Sequence, residues 1–219
     1  MINGIKRKKE IQKRDPMIFE IFPQLIYKEN LKIKNISLKD IPFTQENSHA
    51  TKISKSSKIL EIPDLKFLKD KIQDELTIFT KNILEISKDL DFYITRSWII
   101  TLDNENFNFI SHNHRNSFFT GILYLDLDEG SDCIHFHKER DYQYVGYDYE
   151  NINKYNQQSL TFHPIKNDLI IFDARLNHTA GNHITKNVRT SLAFEVFAKG
   201  VFGKKNTLDT YNIGELVLK

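Results

Sequence analysis

The sequence has a single cysteine, no long apolar run and no excess of charge of either sign. One thiol, Cys133, cannot close an intramolecular disulfide, and such chains are typical of reducing compartments. No segment is apolar over the roughly 20 residues that a membrane-spanning helix needs. No apolar segment follows the basic start "KRKKEIQKR", as one would in a secretory signal. We therefore expect a cytoplasmic protein with no membrane partner.

The charges balance, with 31 Lys and Arg against 29 Asp and Glu. Without a basic excess, we expect no nucleic-acid partner. Hydrophobic residues make up 40% of the 219 residues, which is enough to build one core. We predict a single domain over 1–219. It comprises an N-terminal arm and supporting helix over 1–92, a β core over 93–200 and a C-terminal tail over 201–219.

One segment has clear helical periodicity, from residue 63 to residue 90. Its apolar residues recur every three or four positions and predict one buried face. They are Leu65, Leu68, Ile72, Leu76, Phe79, Ile83, Ile86 and Leu90. Before it, residues 18–34 predict an edge strand or extended arm, and residues 36–58 predict a polar loop.

After residue 92 the apolar period changes to two, which indicates strands. We predict eight, at about 93–102, 107–114, 119–127, 132–137, 159–163, 168–172, 177–181 and 188–198. This run favours a mainly β fold of the jelly-roll or related double-sheet barrel type. The long tyrosine-rich loop 138–158 is our candidate lid over a site.

Three histidines form the candidate metal site. His112 and His114 lie two apart and would share one face of a strand, and His178 lies on a later strand. Neutral imidazole is the commonest metal ligand in proteins. Non-haem iron sites usually combine two histidines with one carboxylate. The plainer interpretation is a pair of half-exposed polar residues, because a lone HxH motif is weak.

Arg189 and Ser191 share one face of the last predicted strand. A guanidinium beside a hydroxyl suits a bound carboxylate. An arginine in an apolar strand needs an anionic partner in any case. Glu195 has the same parity, so an internal Arg189–Glu195 salt bridge is the alternative interpretation.

These segments together resemble the Fe(II)/2-oxoglutarate-dependent oxygenases, specifically a group from bacteria and phages. The pieces that carry the likeness are "IFPQLIYKENL", "SWIITL", "HNHRNSFFTGILYL", "IIFDARLNH" and "VRTSLAFEVF", within residues 18–198. The resemblance implies a double-stranded β-helix and hydroxylation of a substrate with release of succinate and CO2. It implies Fe(II), 2-oxoglutarate and O2, with ascorbate as a reductant. The implied iron ligands are His112, His114 and His178, and the implied 2-oxoglutarate ligands are Arg189, Ser191 and Tyr124.

His114 departs from the wider superfamily, which has Asp or Glu at this position. A neutral ligand leaves the Fe(II) unit one charge more positive. His114 could bind iron. Alternatively, it could stay unbound, so that two histidines hold the iron and one more coordination position is free for water or a halide, or the site could bind metal poorly. We favour ligation, because imidazole suits iron and the strand parity is right.

Two other functions stay open. A three-histidine cupin-type dioxygenase would not need 2-oxoglutarate, and "HTAGN" at His178 is similar to a cupin motif, but no Glu follows HxH. A non-catalytic β-barrel binding module would hold no metal. His135, His137, Asn116, Asn177 and Asn182 are either pocket groups or plain rim and turn residues. The substrate, a small molecule or a protein, is not identified, and the oligomeric state, with a homodimer one option, is open.

Overall fold

The computed structural model describes residues 17–20, 22–34, 36–45, 51–102, 110–130, 132–138, 148–181, 185, 187–203 and 208–215. The basic start, Asn182 and residues 139–147 of the candidate lid lie outside these residues. The strands of the described part are β1 Ile26–Asn30, β2 Phe43–Gln45, β3 Thr51–Ser54, β4 Leu90–Leu102, β5 Phe119–Asp126, β6 Ile134–His137, β7 Ser159–Phe162, β8 Asp168–Asp173, β9 His178–Ala180, β10 Arg189–Phe202 and β11 Tyr211–Ile213.

These strands form two antiparallel sheets. The larger has the order β1-β8-β5-β10-β4-β3-β2, with β11 paired beside β10, and the smaller has the order β7-β6-β9. Tyr124 and Phe172 of the larger sheet pack with Ile134 and Phe136 of the smaller one. The two sheets therefore face each other, and side chains that alternate along each strand fill the space between them.

The helical segment covers the other face of the larger sheet. Turns of 3-10 helix at Ile59–Glu61 and Pro63–Leu65 lead into α1, Lys66–Thr77, and a π-helical turn, Ile78–Ile83, follows. The predicted apolar face does not extend to Ile83, which is 49% exposed, but its earlier residues Leu68, Ile72, Leu76 and Phe79 are fully or almost fully buried. They pack with the apolar face of the sheet in one cluster. None of the helices in the described ranges has the length and apolar character needed to cross a bilayer.

The predicted helix end at residue 90 is wrong, since the helical turns stop at Ile83. The backbone N–H of Leu84 donates to the carbonyl of Phe79, which widens the last turn. Glu85 then adopts a φ of 50°, a left-handed conformation that a helix cannot continue through. Leu90 consequently starts β4 instead of ending the helix.

Two further predictions for the strands need correction. The segment 36–58, predicted as loop, contains β2 and β3, which extend the larger sheet beyond β4. An available sheet edge supplies ladder hydrogen bonds that outweigh weak strand propensity. The strand predicted at 107–114 is not formed over 110–114, where His112 makes only an isolated bridge to His178. Residues 103–109 lie outside the described part.

Gly121 lies in the middle of β5, where a side chain would not fit. A Cβ there would meet the Phe194 ring at 2.2 Å and the carbonyl oxygen of Ile170 at 2.8 Å. The close approach lets β5 pair with both β8 and β10 while Phe194 fills the core. This glycine is therefore required by packing and not by a turn.

The variant Gly121→Ala is expected to lower the free energy of unfolding by about 1–3 kcal/mol, the usual cost of overpacking a core. Urea unfolding followed by circular dichroism measures this change. Gly214→Ala is the comparison, because nothing lies within 4 Å of a Cβ added there and its backbone is not in the left-handed region. A Gly121→Ala midpoint equal to that of the wild type would contradict the packing argument.

Candidate metal centre

Backbone hydrogen bonds hold the three candidate ligands together. The N–H of His112 donates to the carbonyl of His178 at 3.1 Å, and the N–H of His178 donates back at 2.9 Å. The N–H of His114 donates to the carbonyl of Ala174 at 2.9 Å. The HxH segment is therefore fixed against β9 and the turn before it, although it is not a continuous strand.

The three imidazoles converge on one point. Their ligand nitrogens all lie within 4.8 Å of one another, and no other such group of three His, Cys, Asp or Glu occurs in the described ranges. The ring centroids are 4.5 Å apart for His112 and His178 and 5.3 Å apart for each pair with His114. The spacing suits three nitrogen ligands on one face of a single metal ion, with other positions open.

In each of the three rings, Nδ1 is engaged by an oxygen at 3.0 Å. His112 donates to the carbonyl of Ile110, and His178 donates to the carbonyl of Leu176. Nδ1 of His114 bonds to Oε1 of Glu195. Carbonyl and carboxylate oxygens only accept, so Nδ1 carries a proton, and in the neutral ring Nε2 keeps its lone pair. This is the tautomer that a metal site needs.

Burial keeps His178 neutral. Desolvation lowers the pKa of His178 to about 4, and the nearby His112 and His114 add to the lowering, while the hydrogen bond to Leu176 opposes it. At neutral pH this ring is therefore an uncharged imidazole. A neutral ring does not have to lose a proton before it binds a metal.

A cavity of about 80 Å³ runs between the sheets and joins the histidines to the predicted carboxylate-binding residues. All six predicted ligands line it, namely His112, His114, His178, Tyr124, Arg189 and Ser191. Tyr124 of β5 is directly opposite Ser191 of β10 in the strand register. Trp98 of β4 forms part of the same wall.

The alternative of an Arg189–Glu195 salt bridge is wrong. Nη1 of Arg189 instead lies 3.3 Å from Oδ1 of Asp132, a residue with no exposed surface. Glu195 faces His114 and Arg96. Sequence reasoning missed Asp132, because it precedes β6 in a turn and no motif marks it as the partner of an arginine 57 residues away.

The residues at this end of the cavity fit a carboxylate ligand. A guanidinium carries five N–H donors, so pairing with Asp132 and binding a second carboxylate are compatible. Burial keeps the pKa of Tyr124 well above its usual value, against the opposing charge of Arg189. Tyr124 is therefore a phenol at neutral pH and can donate its hydroxyl proton.

Glu195 is the second residue that sequence reasoning assigned to the wrong partner. Its hydrogen bond to His114 lowers the pKa of Glu195, the nearby Arg96 guanidinium lowers it further, and burial opposes both. Glu195 is therefore ionised at neutral pH, and it places a carboxylate beside one of the three imidazoles. Glu195 and Arg189 do lie at positions of the same parity on β10. Parity along one strand, however, does not say which residue of another element each side chain contacts.

The other predicted polar groups lie apart from the cluster. Nδ1 of His135 is 2.9 Å from the hydroxyl of Thr161, and Nε2 of His137 is 2.6 Å from that of Thr179. Asn177 accepts a hydrogen bond from Asn113 at 3.1 Å, and Asn116 is exposed. None of these groups belongs to the three-imidazole cluster, so their role as pocket residues stays a prediction.

Comparison with known proteins finds a family model that matches part of the chain. Residues 96–195 match the family model described as "Putative 2OG-Fe(II) oxygenase". The segment holds the three histidines together with Arg189, Ser191 and Tyr124. No curated protein matched the chain.

Two solved structures share the fold. A 2OG-Fe(II) oxygenase family oxidoreductase from Burkholderia pseudomallei is 14% identical, with 72% of each chain covered and a TM-score of 0.51. The non-heme alpha ketoglutarate dependent epimerase SnoN from nogalamycin biosynthesis is 13% identical, with a TM-score of 0.52 over 73% of this chain and 68% of that one. The predicted double-stranded β-helix is thereby confirmed. Residues 96–195 thus match a 2OG-Fe(II) oxygenase domain, and this match together with the three-histidine cluster supports an oxidoreductase that uses Fe(II) and 2-oxoglutarate.

Proposed function

We propose that this protein hydroxylates a substrate carbon, with His112, His114 and His178 as iron ligands and Arg189, Ser191 and Tyr124 as the 2-oxoglutarate site. The observation that carries the proposal is one cavity lined by both sets. Three imidazoles whose ligand nitrogens lie within 4.8 Å of one another line it. The buried guanidinium of Arg189 and the hydroxyls of Ser191 and Tyr124 line it as well.

In the proposed reaction the side chains bind the iron and the 2-oxoglutarate and orient them. Fe(II) with 2-oxoglutarate and O2 supplies the oxidising chemistry that converts C–H to C–OH while 2-oxoglutarate is split to succinate and CO2. Arg189, Ser191 and Tyr124 would hold the distal carboxylate, so that the keto-acid end points towards the histidines. Ile122 and Ile134 line the cavity and would keep water away from a bound metal.

This fold supports more than one reaction. SnoN, which has the same fold, is an epimerase. A cupin-type reaction without 2-oxoglutarate would leave Arg189, Ser191 and Tyr124 without a ligand in the cavity. A binding module would need no set of three converging Nε2 atoms. The cavity therefore favours the 2-oxoglutarate-dependent enzyme over both.

The purified protein is expected to convert 2-oxoglutarate to succinate when supplied with Fe(II), O2 and ascorbate, even without its substrate. Succinate is measured by liquid chromatography and mass spectrometry, and the same mixture without O2 is the control. Anaerobic calorimetry with Mn(II) should show 2-oxoglutarate binding. If neither binding nor succinate is detected, the proposal is wrong.

A further inference from the structure

The cluster of three ligands contains no carboxylate, but one lies directly behind it. Oε1 of Glu195 is 3.0 Å from Nδ1 of His114. His112 and His178 use backbone carbonyls for the same contact. His114 stands at the position where an acidic ligand was expected. It is also the one histidine of the three whose Nδ1 contacts an acidic side chain.

Local backbone structure directs Glu195 towards this position. The pairing of β10 with β4 slips at Glu195/Val196, where Thr95 is the extra residue on β4. The hydroxyl of Thr95 donates to the carbonyl of Glu195 at 3.2 Å. Bulges of this kind re-aim a side chain and are common beside functional sites. Glu195 is thereby held beside His114 and is 8% exposed.

Arg96 completes the arrangement from the solvent side. It is the register partner of Glu195, and its Nη1 lies 3.4 Å from Oε2. The two carboxylate oxygens thus have different partners, an imidazole on one side and a guanidinium on the other. The arginine is 45% exposed, and such half-exposed pairs contribute little by themselves. A role for Glu195 only as the partner of Arg96 does not account for the shorter contact with His114.

We propose that Glu195 is a positioning residue that orients His114 and restores to the metal centre the negative charge missing from the three histidines. The inference rests on the proposed function, because it assumes that His114 binds the metal. Hydrogen bonding to the carboxylate fixes the Nδ1–H tautomer and raises the basicity of Nε2. His114 is then a neutral metal ligand whose Nδ1 is hydrogen-bonded to the carboxylate of Glu195.

Two variants separate the orienting effect from the charge. Glu195→Gln keeps an oxygen that can accept from Nδ1 and removes the charge, whereas Glu195→Ala removes both. We expect Co(II) affinity, followed by absorbance and calorimetry, to fall about 10-fold in the first and about 100-fold in the second, the range found for residues behind metal ligands. Glu61→Gln, in an exposed pair with Lys69, is the matched control and should leave the affinity unchanged.

Nitrogen-15 NMR of the metal-free protein reports the tautomer of His114, which a change in stability alone would not alter. In the wild type, the His114 shifts should report a proton on Nδ1, and Glu195→Ala should populate the tautomer with the proton on Nε2. Both changes together support the inference. Unchanged Co(II) affinity in both variants, or an unchanged tautomer in Glu195→Ala, would overturn it. If the wild type binds Co(II) and His112→Ala does not, the proposed metal site is supported even when the role of Glu195 is contradicted. If the wild type binds no Co(II), the metal site and the role of Glu195 are both contradicted.

Discussion

The variant His112→Ala is expected to lower Mn(II) or Fe(II) affinity by more than about a hundredfold and to abolish succinate formation. A change behind a ligand already costs about 10–100-fold in affinity, so the loss of a ligand itself should cost more. Because His112 is exposed, its removal should leave the fold stable. Anaerobic calorimetry measures the affinity, and thermal unfolding checks the fold.

The control is His163→Ala, which removes an exposed histidine from outside the cluster. It should leave metal affinity and turnover unchanged. Equal affinity in His112→Ala and His163→Ala would contradict the three-histidine site. His114→Ala tests the remaining question: an affinity loss like that of His112→Ala supports ligation, whereas an unchanged affinity supports a two-histidine site.

The variant Arg189→Met is expected to lose both 2-oxoglutarate binding and stability. Hydrogen bonds to charged groups contribute about 1.5–3 kcal/mol each, so losing a bidentate pair should weaken 2-oxoglutarate binding about a hundredfold or more. The variant also leaves the carboxylate of Asp132 buried beside an uncharged side chain. Breaking such a pair should lower the free energy of unfolding by about 3–5 kcal/mol.

A double variant, Arg189→Met with Asp132→Leu, separates the two effects. Replacing both members of a buried ion pair with apolar residues is often neutral, so the unfolding midpoint in urea should return towards that of the wild type. The affinity for 2-oxoglutarate should stay low, and Mn(II) affinity should stay high, since neither residue belongs to the histidine cluster. Recovery of 2-oxoglutarate binding in the double variant would show that Arg189 does not hold the cosubstrate.

Local patterns were sufficient for most of the secondary structure. Apolar residues spaced by three or four predicted α1, and alternation predicted β4, β5, β8 and β10, because these periods depend only on the geometry of one element. The helix end and the strands β2 and β3 could not be read in the same way. The first depends on the left-handed backbone at Glu85, and the others depend on the edge that β4 offers.

The residue types of the candidate site also followed from short motifs. The spacing of His112 and His114, and that of Arg189 and Ser191, places each pair on one face of a predicted strand. His178 was proposed as the third metal ligand on a later strand, and the family resemblance added Tyr124. Their convergence on one cavity, however, needed the two sheets to be packed face to face. No periodicity within a strand carries that information.

The partners of the charged residues were decided by tertiary structure alone. Glu195 has the parity of Arg189, yet it bonds to His114, 81 residues away, while Arg189 pairs with Asp132. Spacing along one strand states which face a side chain occupies, because successive residues alternate. It does not state which residue of another element lies across from it, since that depends on the register between strands and on the bulge beside Glu195. The chemistry of the ligands could thus be read from the chain, whereas the charge that surrounds them came from the packing of the sheets.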